Sequence, residues 1–385
     1  MANTGHPRST SFGIDGRRAW QRTKTHYKNL NVGLAFSTRD YSGDDASDDA
    51  DATEEKRILL IPAGTTVQEA YDSGVQALYS ANVVEPEASM PQLLASALDL
   101  DWETGYRTVL QPQSLRQTLT EEQASTLTKL LERRLKHEPI QYILGQWDFL
   151  DYVVAIRPPL LCPRPETEEL VKLVVQDAKQ MRMETGKEEL KILDIGCGTG
   201  VIGISLADQL NAARVHAIDI EPIAVETSLE NARRILSSET TVVDQQQEQQ
   251  QQQYQCSLIP VADYSIEQDE EPFDMLVSNP PYIPTSDYND LSPDVINFES
   301  QSALEAGEDG LAVILDIIKG MQRWCKPGAP CWMEVDPTHP KLLEELLSST
   351  SEEVAEWGVV FVSSYKDMFG KDRFVKLQYI GDSKD

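Results

Sequence analysis

A chain of 385 residues is long enough for two domains, and 40% hydrophobic with 7% aromatic residues is an ordinary globular composition. Against 63 Asp and Glu stand 34 Lys and Arg, a net charge of −29, which argues against a protein that works by neutralising nucleic-acid phosphates. No apolar run approaches the roughly 18 residues of a membrane-spanning helix, and five cysteines without a C-x-x-C pair speak for a reducing compartment and against a disulfide framework or zinc site, so neither a membrane partner nor a metal is expected.

The chain opens on an Arg-rich, acid-poor stretch in which Arg8, Arg17, Arg18, Arg22, Lys24, Lys28 and Arg39 face only Asp15 and Asp40. That is the composition of an organellar transit peptide, and "RDYS" at 39–42 resembles an arginine-guided mitochondrial cut site after Tyr41. A mitochondrial location is expected, with plastid or cytoplasm as alternatives. Residues 42–57 are acidic and nearly free of aromatics, the composition of a disordered linker.

From 58 to 144 the pattern is helical. Thr66 with Glu69 reads as a capping box ahead of Val67, Ala70, Tyr71, Val75 and Leu78 on one face. Thr120 with Gln123 repeats the signal ahead of Ala124, Leu127, Leu131 and Leu135, and Pro139 ends that pattern. These stripes read as the core of a small all-helical domain. Residues 145–190 read as a connecting segment.

From 191 to 380 strands alternate with helices, which predicts an α/β unit with a mostly parallel sheet. The run "DQQQEQQQQQYQ" at 244–255 reads as a low-complexity insertion in a surface loop. Within this unit Ile192–Ile195 reads as a strand feeding the loop Gly196, Cys197, Gly198, Thr199, Gly200 and then a helix. Gly198, Gly200 and Gly203 satisfy the dinucleotide pattern G-x-G-x-x-G, and Asp194 before the glycines also fits the D-x-G-x-G-x-G loop of S-adenosylmethionine-dependent methyltransferases. Both readings want an acid at the end of the next strand to hold ribose hydroxyls, and Asp219 stands there.

"SNPPYIP" at 278–284, directly after the apolar Met275-Leu276-Val277, separates the two. Pro280 and Pro281 end the strand and stiffen the loop after it. If the Asn279 side-chain oxygen and the Pro280 carbonyl accept the two N–H bonds of a planar amide or amino group, its nitrogen is held with the lone-pair face toward a methyl donor. Catalysis is then positioning plus stabilisation of the charge that develops on that nitrogen. Tyr282 packs on the planar group.

The ordered set "RRLKHEPIQYILGQWDF", "LLCPRPETEELV", "LDIGCGTGVIGISLA", "AIDIEPIAVETSLENA", "FDMLVSNPPYIP", "FESQSALEAGEDGL" and "KDMFGKDRFVKLQ" resembles the HemK/PrmC family, the protein-(glutamine-N5) methyltransferases of peptide chain release factors. The resemblance runs over residues 66–378, with Cys162 where the family signature has isoleucine. It implies a Rossmann-like S-adenosylmethionine-dependent methyltransferase sheet behind a helical domain that helps hold the release factor. On it, Asp194, Gly196, Cys197, Gly198, Thr199, Gly200, Asp219 and Asn279 bind S-adenosylmethionine, and Asp263 and Tyr264 flank the adenine. The catalytic set is Asn279, Pro280, Pro281 and Tyr282, which hold the glutamine of a Gly-Gly-Gln loop, while Arg164, Pro165 and Glu166 line or close the site. A monomer without direct nucleic-acid contact is expected. The alternatives are a nucleic-acid amino methyltransferase of the adenine-N6 type, which shares Asn-Pro-Pro-Tyr, and an inactive S-adenosylmethionine-binding scaffold.

Overall fold

The computed structural model describes residues 60–237, 253–267 and 270–381. The basic leader, the acidic linker and residues 244–252 of the glutamine tract lie outside the described residues.

Both capping boxes form. The Thr66 hydroxyl accepts from Glu69 N–H and the Glu69 carboxylate accepts from Thr66 N–H at the start of the helix Val67–Ser80; Thr120 and Gln123 do the same for Glu121–Leu135. These helices and Pro86–Ala97 bury Val67, Ala70, Leu78, Leu93, Leu94, Leu127 and Leu131 in one apolar cluster. Pro139 does not itself stop the second helix, which ends at Leu135; it caps the next short helix, Ile140–Leu144.

Strands β1 (Gln146–Phe149) and β2 (Tyr152–Ala155) form an antiparallel hairpin. The main sheet contains β3 (Leu190–Ile195), β4 (Ala213–Asp219), β5 (Tyr254–Leu258), β6 (Met275–Ser278), β7 (Pro330–Glu334), β8 (Val359–Lys366) and β9 (Asp372–Tyr379) in the order β5-β4-β3-β6-β7-β9-β8. The pairs from β5 to β7 are parallel, and β9 is antiparallel to both its neighbours. Alternation along β3 sends Leu190 and Ile192 to one core and Leu193 and Ile195 to the other, so helices cover both faces, as a parallel sheet requires. The strand order reverses between β3 and β6, and open α/β sheets bind ligands outside the carboxyl ends at such a reversal.

Two boundaries differ from the sequence reading. Residues 145–190 are more than a connector: the helix Pro165–Thr185 packs on β7 and on the helix Val201–Gln209, burying Leu170, Val171, Val174 and Ala178 in the core of the sheet. The glutamine tract also ends earlier than composition suggests, because Tyr254 and Gln255 open β5 and Tyr254 is buried beside the glycine loop.

Arg134 joins the helical part to the segment that follows β6. Its side chain is 3% exposed, and it donates to Asp294 Oδ2 at 2.7 Å, to Ser89 and to the carbonyls of Val84 and Glu138. Removing one partner of a buried pair strands the other charge away from water. Arg134→Ala is therefore expected to lower unfolding free energy by about 3–5 kcal/mol, read from the denaturant midpoint. A loss under about 1 kcal/mol, the range of an exposed pair, would contradict the clasp.

Candidate active site

Two adjoining clefts open at the carboxyl ends of β3, β4 and β6. The first is lined by Gly196, Cys197, Gly198 and Thr199, by Asp219, Ile220 and Glu221 after β4, and by Ile259, Val261, Asn279 and Pro281. The second is lined by Asn279, Pro280, Tyr282, Leu291, Val295 and Glu334. Asn279 and Arg164 belong to both walls, so the two clefts adjoin at Asn279.

The glycine loop is held from below and from the side. Asp194 is fully buried and its Oδ2 accepts from Gly203 N–H at 2.9 Å, while its Oδ1 has no hydrogen-bond partner among the described residues. Burial pushes its carboxyl up to about 7. Asp194 does not line the cleft; it anchors the helix that follows the loop. Asn231 is buried as well and donates to Thr199 O at 2.9 Å and to Ala155 O at 3.1 Å, which ties the loop to β2. Gly200 has φ +83, and a Cβ there would lie 2.7 Å from Ser228 Cβ and 2.8 Å from Ile204 Cδ1. It therefore supports the cleft from behind rather than lining it.

Asp219 does line the cleft. Its Oδ2 accepts from Gly198 N–H at 2.8 Å and its Oδ1 from Glu221 N–H at 2.9 Å. Burial raises its carboxyl above the usual range, and these N–H bonds pull the other way. The Ser302 hydroxyl donates to Glu221 Oε1 at 3.0 Å, bringing the segment after the proline loop over this end. Carboxylates of Asp219 and Glu221 beside apolar Ile220, Ile259 and Val261 fit a nucleoside: acceptors for vicinal hydroxyls and apolar walls for a base.

Of Asp263 and Tyr264, expected at the adenine, the tyrosine is turned into the core. Asp263 is exposed, and the Tyr264 ring is buried among His216, Phe273 and Trp324, its hydroxyl 3.2 Å from His216 Nδ1. The short helical turn Val261–Asp263 instead turns Val261 to the cleft.

The proline loop is pinned at both ends. The Ser278 hydroxyl donates to Ile195 O at 2.7 Å, joining β6 to β3 at the reversal. Beyond the prolines, Ile283 N–H donates to Leu304 O and Ala306 N–H to Ile283 O. Gly310 (φ +72) passes so close that a Cβ would lie 2.3 Å from Tyr282 O, a position only glycine tolerates. Asn279 Nδ2 donates to Thr167 Oγ1 at 3.2 Å. Arg164 Nη2 donates to both oxygens of buried Glu299, at 2.7 and 2.8 Å. Glu166, in contrast, lines neither cleft and is half-buried in the first turn of the helix Pro165–Thr185.

Thr167, Glu334, Glu221 and Glu299 carry no signal of their own in the sequence pattern. Thr167 lies inside the "RPETE" stretch and Glu221 two residues after Asp219, whereas Glu299 and Glu334 are brought in by the fold from distant segments.

The helical residues 69–145 match the family model "PrmC N-terminal domain", and residues 174–278 match "Ribosomal protein L11 methyltransferase (PrmA)". The human "MTRF1L release factor glutamine methyltransferase" is 33% identical over 273 residues, covering 71% of this chain and 76% of that one. "Release factor glutamine methyltransferase" of Geobacter sulfurreducens is 34% identical over 63% of this chain and 74% of its own length. The protein of the same name from Lactococcus lactis is 29% identical over 69% of this chain and 86% of its own. With a relative 33% identical over 71% of its length and the PrmC N-terminal domain at 69–145, the chain belongs to the release factor glutamine methyltransferases, the HemK/PrmC family.

Proposed function

We propose that the chain methylates N5 of the glutamine in the Gly-Gly-Gln loop of a peptide chain release factor. S-adenosylmethionine supplies the electrophilic methyl group. Gly196, Cys197, Gly198 and Thr199 hold its amino-acid part, Asp219 and Glu221 its ribose, and Ile220, Ile259 and Val261 its base.

The observation that carries this reading is the shared wall: Asn279 stands between a nucleoside-shaped cleft and a second, smaller one. An amide nitrogen is a weak nucleophile because its lone pair is delocalised into the carbonyl. The chain's contribution is orientation. Asn279 Oδ1 and the Pro280 carbonyl accept from the two N–H groups of the glutamine amide, and Tyr282 covers its planar face. Preorganised acceptors also stabilise the positive charge as it develops. No residue has to act as a strong base before transfer: as the C–N bond forms and the S–C bond breaks, the donor leaves as a neutral thioether, and the amide N–H, acidic only then, gives its proton to water.

The helical part at 58–144 is read as a surface that helps hold the factor, and the chain as a monomer. The Arg-rich leader supports mitochondrial import.

The test is incubation of the full chain with labelled S-adenosylmethionine and an intact release factor, beside the same factor with its Gly-Gly-Gln glutamine changed to alanine. Label on the first alone is expected. Label on a duplex or single-stranded nucleic acid, with none on the factor, would replace this reading by the amino-methylating alternative. Cofactor binding with no label on any of them would leave the scaffold.

A further inference from the structure

Asparagine's two side-chain ends are nearly equal in size, so only their partners decide which one faces a ligand. This matters at Asn279, because an accepting oxygen and a donating NH2 would treat a substrate amide nitrogen in opposite ways. Resting on the methyl-transfer function proposed for this site, we propose that Thr167 and Glu334 are positioning residues that force the Asn279 oxygen toward the acceptor cleft.

The protons decide the orientation. Glu334 ends β7, is 2% exposed and, when ionised, only accepts hydrogen bonds. The Thr167 hydroxyl donates to its Oε2 at 2.8 Å. Threonine has one hydroxyl proton, so toward Asn279 it is left as an acceptor. That selects Asn279 Nδ2, 3.2 Å away, and turns Oδ1 outward. A flipped amide would set oxygen against oxygen at Thr167 and donor against donor at the substrate. Thr167 itself is 3% exposed, so water has little access to relieve the mismatch, and unmade buried hydrogen bonds are costly.

The relay carries its own pH dependence. Burial pushes the Glu334 carboxyl up to about 7, against Thr167 and Arg373, which favour its charge. Tyr282 also favours the charge, donating to Oε1 at 3.4 Å, while Glu166 opposes it. Above about 7 Glu334 is ionised and Thr167 donates to it. Below that it gains a proton and can donate to Thr167, whose hydroxyl is then free to donate to Asn279 Oδ1. Orientation is therefore present on the alkaline side and lost as pH falls.

Thr167→Val keeps the shape and removes the hydroxyl; Thr167→Ser keeps the hydroxyl. For Thr167→Val, whose side chain also borders the first cleft, the expected result is a fall in kcat of about 100-fold, the size of a small misplacement at a reacting group, with cofactor Kd within a few-fold because the shape is kept. Thr167→Ser is expected to restore most of it. Wild-type kcat should rise with pH to a plateau above about 7, and Glu334→Gln should flatten that rise. The isotope-labelled Asn279 side-chain amide, identified by its loss in Asn279→Ala, should show slowed proton exchange in wild type and faster exchange in Thr167→Val. That readout needs no acceptor, so it stands or falls separately from the assignment of the release factor as substrate. Equal kcat in Thr167→Val and wild type, a serine variant as poor as valine, an unaltered pH profile in Glu334→Gln, or unchanged amide exchange would each overturn the relay.

Discussion

Asn279→Ala is expected to cut kcat by about 100- to 1000-fold, the size found when one preorganised polar contact to a reacting centre is removed, with cofactor affinity within a few-fold of wild type. On the proposed reading the substitution removes the side-chain oxygen while the Pro280 carbonyl remains, so one of the two hydrogen bonds to the substrate amide survives. On that reading cofactor affinity rests on the glycine loop, Asp219, Glu221 and the apolar wall, and Asn279 Nδ2 donates instead to Thr167. Pro280 and Pro281 offer only carbonyls, and the Tyr282 hydroxyl already donates to Glu334 Oε1 at 3.4 Å, so neither replaces the lost side-chain oxygen. Single-turnover rates and a direct cofactor titration on the same preparation check both halves. Normal turnover would refute the role given to Asn279, and lost cofactor binding would move it to the other cleft.

Asp219→Ala should do the reverse: cofactor Kd rises about 100-fold while kcat at saturation stays within a few-fold. Three contributions disappear together. The Gly198 and Glu221 N–H groups lose their acceptor at 2.8 and 2.9 Å, and on the proposed reading the ribose hydroxyls lose theirs. Hydrogen bonds to a charged group are worth about 1.5–3 kcal/mol each, and about 1.4 kcal/mol is a factor of ten. Because water replaces part of what is lost, about two decades is the expectation rather than the sum. Asp219→Asn keeps an acceptor for one of the two backbone groups and should fall between. Wild-type affinity in Asp219→Ala, measured by titration calorimetry, would remove the carboxylate from the cofactor's hold.

These opposite signatures rest on features that were readable in the sequence because they are local. The capping boxes at Thr66 and Thr120 form as spaced. A strand, a glycine loop and a helix succeed one another without a gap from Leu190 to Gln209. Two prolines end β6 where their missing N–H groups dictate. The unreadable part depends on contacts between distant segments. Thr167 and Glu334 are 167 residues apart and Arg164 and Glu299 are 135 apart, and no periodicity announces such a pairing. The Tyr264 ring shows the same limit at short range. An aromatic beside Asp263 suggests a base-stacking surface, yet a three-residue helical turn decides which side chains face the cleft. It gives that place to Val261 and sends the tyrosine into the core with Trp324, whose indole N–H donates to the Tyr264 carbonyl at 3.0 Å. The helix Pro165–Thr185 was similarly hidden, since a segment between two domains reads as a linker until its Leu170, Val171 and Val174 are seen against the sheet.

Methylation of a side-chain amide nitrogen differs chemically from methylation of a carboxylate or of a base, and hydrolysis tells them apart. Release factor methylated by this chain with carbon-labelled S-adenosylmethionine would be hydrolysed completely and the volatile products collected. An N-methyl amide yields labelled methylamine, and this is the predicted result, with none from the factor whose Gly-Gly-Gln glutamine is alanine. Labelled methanol, the product of a methyl ester, or label retained on an involatile amino acid would contradict the assignment of N5 as the acceptor.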